Sequence, residues 1–75
     1  MNYMVDYSEL MKQRWKGLAE TFCEMAVGPF SNDKQIAEKI IKMCQTRAIR
    51  DNAYETPKEI EEYVIFKIIE HKMGV

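Results

Sequence analysis

Residues 56–75 read T-P-K-E-I-E-E-Y-V-I-F-K-I-I-E-H-K-M-G-V, and this stretch decides the fold. It opens on a helix-start signal. Thr56 can cap, Pro57 suits the first helical position, and Glu59 stands three residues after the cap, the spacing of a capping box. His71 and Lys72 suit the negative end of the helix dipole, and Gly74 lies past the last turn. The predicted helix therefore covers about residues 57–73. Between Tyr63 and Ile69 only Lys67 is polar, so one face cannot hold the apolar residues. At about 100° per residue, Ile60, Val64 and Ile68 share one side, with Ile65 grouped beside them. Phe66, Ile69 and Met73 lie roughly opposite. Such a helix must be covered twice. The rival reading makes Tyr63 to Ile69 a strand, since β-branched and aromatic residues favour strands. A single strand would have nothing to pair with, so the helix is preferred.

Moving toward the N-terminus, Arg50 to Glu55 is a polar connection in which Asp51-Asn52 predicts a turn. Before it, residues 32–49 form a second amphipathic pattern. Ile36, Ala37, Ile40, Ile41, Cys44 and Ala48 cover an arc of about 140°. Lys39, Lys42 and Arg50 lie on the opposite arc. Arg47 stands at the edge, where its stem can cover core while its head reaches water. Ser31 is the predicted cap of this helix. Gly28 and Pro29 stop the helix that precedes it, with Gly28 suited to the left-handed C-terminal position.

That earlier helix is predicted over about residues 7–26. Asp6 caps it, with Ser8 as the alternative. Its stripe is Met11, Trp15, Leu18, Phe22 and Met25, with Ala19 and Ala26 alongside, a spacing suited to one packed helical neighbour. The short turn around Pro29 makes these two helices an antiparallel hairpin. The register then pairs Trp15 with Met43 or Cys44, Leu18 with Ile40, and Phe22 with Ile36. It separates Cys23 from Cys44 by about nine residues, or about 13 Å along the axis. A disulfide needs Cα atoms within about 7 Å, so both cysteines are predicted to be reduced and buried. Met1 to Val5 remains as a short arm. The expected fold is an all-α three-helix bundle, in one domain of residues 1–75.

The 75 residues are 47% hydrophobic and 31% charged, with a formal net charge of −1. This is a globular composition without the basic excess of a nucleic-acid binder. No apolar run approaches the roughly 18 residues of a transmembrane helix. Residues 1–6 lack the basic and apolar regions of a secretory signal, and a cytoplasmic location is expected. One histidine and no C-x-x-C leave no metal-ligand cluster, and no cofactor is expected.

Four constellations invite a functional reading. Lys39, Lys42, Arg47 and Arg50 form a basic stripe that can touch phosphates, although it has the position of any solvated helix face. Trp15 sits among Lys12, Arg14 and Lys16, yet it is centred on its helix's apolar stripe and is expected in the core. Ser31 to Asp33 opens a helix, but one glycine is no phosphate loop and Asp33 opposes an anion. His71 and the acids Glu55, Glu59, Glu61, Glu62 and Glu70 form no convergent set, and no nucleophile–base pair is visible. A non-enzymatic protein is expected.

The remaining signal is surplus apolar surface on the last helix at Tyr63, Phe66, Ile69 and Met73. Either the N-terminal arm folds over it or it meets another chain. The expected function is protein binding, as a homo-oligomer or as a stoichiometric inhibitor or regulator of the kind phages and mobile elements encode. The alternatives are a nucleic-acid-binding regulator using the basic stripe, and an oligomer that captures a small anionic ligand.

Overall fold

The structure, a computed structural model, describes residues 7–74. The arm Met1 to Val5 and the cap at Asp6 lie outside the described residues. Four helical segments follow in order: α1 (Tyr7–Met11), α2 (Arg14–Ala26), α3 (Asp33–Arg50) and α4 (Pro57–Lys72). Helices α2, α3 and α4 pack against one another as the expected all-α bundle. No strand occurs among the described residues, so Tyr63 to Ile69 is helical.

The first predicted helix is interrupted, which corrects the continuous span 7–26. At Lys12-Gln13 the hydrogen-bond ladder tightens to three-residue steps: Gln13 N–H to the Leu10 carbonyl and Lys16 N–H to the Gln13 carbonyl, both 3.1 Å. Neither glycine nor proline causes the break. A tertiary tie accompanies it. Lys12 Nζ donates to Tyr54 Oη at 2.7 Å, and Tyr54 Oη donates to Glu9 Oε1 at 3.0 Å. The α1 turn is thereby held against the connection between α3 and α4.

The caps explain the other boundaries. Thr56 Oγ1 accepts the Glu59 N–H at 3.2 Å, and Glu59 Oε1 accepts the Thr56 N–H at 3.4 Å, so the capping box of α4 is complete. Helix α3 is capped by Asn32, whose side chain accepts the Gln35 N–H. Ser31 had been the expected cap. Its hydroxyl is instead occupied in the turn, accepting from the Gly28 N–H at 3.1 Å and donating to Asp33 Oδ1 at 2.7 Å. Gly28 does not take the left-handed conformation either. Helix α2 ends through an extended Val27, whose N–H still reaches the Cys23 carbonyl. The left-handed residue is Asn52, with φ 56°. Asn52 N–H bonds the Ile49 carbonyl and Ala53 N–H bonds the Ala48 carbonyl, the paired bonds of a Schellman motif. Asp51-Asn52 is thus the turn that ends α3.

The core is built from three rows of three. Trp15, Ala19 and Cys23 come from α2, Ile40, Cys44 and Ala48 from α3, and Ile60, Val64 and Ile68 from α4. Each row steps by four residues, the ridge that packs into grooves of a neighbouring helix. The hairpin rows are mostly small at Ala19, Cys23, Cys44 and Ala48, while the α4 row is uniformly branched and large. Bulk from α4 therefore fills a recess lined by small residues. Burying each of these aliphatic side chains stabilises the fold by about 1.5–3 kcal/mol. The row on α2 also shifts the expected stripe. Leu18 and Phe22 are only partly buried, and Met11 and Met25 are exposed, because the close approach is made through Ala19 and Cys23.

Trp15 occupies the core, as expected, and fixes the hairpin register. Cys44 Sγ lies 3.4 Å from the Trp15 carbonyl oxygen and donates to it. The indole N–H donates to Glu55 Oε1 at 3.0 Å. Cys23 and Cys44 are both free and buried. Burial pushes the Cys44 thiol up to about 11, with the neighbouring Cys23 adding to it, and burial also raises Cys23.

Candidate functional site

Helix α4 carries two apolar rows with different environments. Ile60, Val64 and Ile68 are 2%, 0% and 6% exposed. Ile65, Phe66, Ile69 and Met73 are 40%, 57%, 50% and 71% exposed. Three of the four residues expected on the outer face are therefore there. Tyr63 is the exception and corrects that expectation. It is half-buried on the α2 side, its ring edge-on to Trp15 with centroids 5.0 Å apart. Its hydroxyl donates to Glu20 Oε1 at 3.2 Å. Burial and the Glu20 carboxylate raise its pKa. Ile65 takes the place left by Tyr63, although the sequence grouped it with the core row. It lies on the α3 side, beside Ala37 and Lys34.

A depression of about 380 Å³ runs between α3 and α4 beside this stripe. Ala37, Ile65, Ile68, Ile69 and Met73 make its apolar wall, and Asp33, Lys34 and Lys72 stand at its margin. Lys72 is engaged there, paired with Asp33 at 3.3 Å and donating to the Gly28 carbonyl. The Ser31 hydroxyl, and then Lys72, hold the Asp33 carboxyl below the usual range. These contacts fasten the end of α4 to the turn between α2 and α3. They also leave Ser31 and Asp33 unsuited to an incoming phosphate.

The basic stripe divides. Lys39, Lys42 and Arg50 are exposed, but Arg47 is half-buried and bonded to Asp51 at 3.0 Å. Arg47 therefore forms an ion pair at the end of α3 while its side chain still borders the seam with α2. Packing then supplies what the stripe lacked in the sequence of α3 alone. Phe22 and Leu18 of α2 come beside it. Phe22, Ala26, Ile36, Lys39, Ile40 and Met43 line one depression of about 300 Å³. Leu18, Met43, Thr46, Arg47 and Arg50 line a second of about 240 Å³. Met43 borders both, so the two form one trough along the α2–α3 seam. The signal for it was the position of Leu18 and Phe22 on their wheel, displaced from the row of Trp15, Ala19 and Cys23.

The acids do not converge. Glu55 receives the Trp15 indole, Glu59 closes the capping box, and Glu70 pairs with Lys67 at 3.3 Å. Glu61 and Glu62 are exposed. No group of His, Cys, Asp or Glu among the described residues could hold a metal ion. No helix among them is long and apolar enough to cross a membrane. No family model, curated protein or solved structure matches the chain.

Proposed function

We propose that the chain is a non-enzymatic protein-binding module whose docking surface is the outer stripe of α4, Ile65, Phe66, Ile69 and Met73. The observation that carries this reading is the exposure of four large apolar side chains on a helix whose opposite row is fully enclosed. Such contiguous apolar surface marks interfaces. The stripe has the form of a helical recognition surface, with anchors three and four residues apart along one face. A role as a homo-oligomer or as a regulator of a larger protein follows from this surface.

The test is photo-crosslinking from position 66. Benzoylphenylalanine replaces Phe66 in one variant and the exposed Glu24 of α2 in another, both expressed in cells of the native host. The expected result is a discrete protein adduct, to a second copy or to another chain, from position 66 and none from position 24. Absence of any protein adduct at position 66 would remove the basis for the reading.

A further inference from the structure

We infer that the outer stripe of α4 docks into the α2–α3 trough of a second copy of this chain, giving a head-to-tail contact. This rests on the reading of the α4 stripe as an interface, and adds which surface receives it.

The two surfaces are complementary in shape and in charge. The trough has an apolar floor of Leu18, Phe22, Ile36 and Met43, with Lys39 and Arg50 along it. No carboxylate lines either of its depressions. Lys39 and Arg50 enter no ion pair among the described residues. In a chain of net charge −1, this cationic seam has an acidic counterpart elsewhere. The outer face of α4 offers one such counterpart. At about 100° per residue, Glu59, Glu62, Phe66, Ile69 and Met73 fall within about 80° of one another. One helix face thus presents the exposed Glu62 carboxylate, with Glu59 of the capping box before it, followed by three apolar anchors. Lys58, at the edge of the same arc, enters no ion pair among the described residues, and Lys72 is held by Asp33 and the Gly28 carbonyl.

The stripe and the trough are separate patches, on different helices of the bundle. A stripe seated in a trough therefore leaves each copy with one donor and one acceptor surface, a heterologous contact. Pairing α4 with α4 about a two-fold axis would cover the anchors but leave the cations of the trough without partners. The head-to-tail contact places the anchors on the apolar floor and the carboxylate end of α4 toward Arg50 at one end of the trough, where complementary potentials fix register and speed encounter.

Two variants and their mixture test this. Phe66→Glu/Ile69→Glu spoils the stripe and leaves the trough. Lys39→Glu/Arg50→Glu reverses the trough and leaves the stripe, and it alters only exposed residues. Circular dichroism confirms that each keeps its helices. By light scattering, the first is expected to be monomeric and the second to associate about tenfold more weakly than the wild type. Mixed in equal amounts, they are expected to form a one-to-one heterodimer, because the intact stripe of one meets the intact trough of the other. The inference is overturned if the trough variant associates as tightly as the wild type, since α4 would then pair with itself. It is also overturned if the mixture stays monomeric. A monomeric wild type overturns it as well, and salt-sensitive binding of a DNA duplex that the trough variant loses would then assign the cations to phosphate contact. In that case a Phe66 adduct to another protein would leave the proposed function standing, so the two failures are distinguishable.

Discussion

The two apolar rows of α4 are made of the same kinds of residue, and they differ in what the rest of the chain places opposite them. Ile60, Val64 and Ile68 face a hairpin lined by Ala19, Cys23, Cys44 and Ala48. Phe66 is exposed, and Ile69 and Met73 border only the open depression beside Ala37 of α3. Hydrophobicity alone therefore does not say which row holds the fold together. The recess opposite does, because small residues let the backbones approach and the branched row fill the gap. One helix thus carries two apolar rows, one enclosed in the core and one left exposed.

The largest expected effect contrasts the rows directly. Ile60→Ala should destabilise the monomer by about 2–5 kcal/mol, through lost burial and an unfilled cavity. A single core of this size supplies only about 3–5 kcal/mol, so much of that variant should be unfolded at 25 °C. Urea midpoints measured by circular dichroism would show it. A midpoint close to that of the wild type would mean that the inner row is not the core.

A middle-sized effect concerns the thiols beneath that row. An exposed thiol titrates near 9.0, and the folded Cys44 thiol near about 11. The folded state holds its proton over this window while the unfolded state releases it. Stability is then complete below about pH 9 and declines as pH rises toward 11. Two units correspond to about 2–3 kcal/mol. Tyr63, also raised by burial, acts in the same direction. Replacing Cys44 by Ala should flatten the alkaline loss, and an unchanged slope would assign it to other groups.

The smallest effect belongs to the outer row. Phe66→Ala, studied at concentrations where the chain is monomeric, should change stability by no more than about 0.5 kcal/mol. A loss comparable to that of Ile60→Ala would place Phe66 in the core and collapse the distinction between the rows.

Much of this was legible in the sequence. The capping box at Thr56, the antiparallel hairpin, the free buried cysteines and both rows of α4 follow from spacing alone. The errors share one physical cause. Tyr63 and Ile65 lie about 100° to either side of the core direction on the α4 wheel, so the wheel treats them alike. Only the side on which α2 sits separates them. There Trp15 meets the Tyr63 ring and Glu20 receives its hydroxyl, while Ile65 faces the open α3 margin. The same geometry shifted the α2 row from Leu18 and Phe22 to Ala19 and Cys23. The break at Lys12-Gln13 has no local breaker residue, and its tie to Tyr54 spans about forty residues of sequence. The trough was hidden because its aromatic and its cations come from different helices.

We propose the outer row of α4 as an interface, first of all between copies of this chain. Its most direct test is molecular mass in solution by light scattering across concentration, for the wild type and for Phe66→Glu/Ile69→Glu. The wild-type mass is expected to rise with concentration above the 8.9 kDa of one chain. The double variant is expected to keep its helices and stay at one chain throughout. A wild type fixed at one chain, or an assembly that the double change leaves intact, would contradict the proposal.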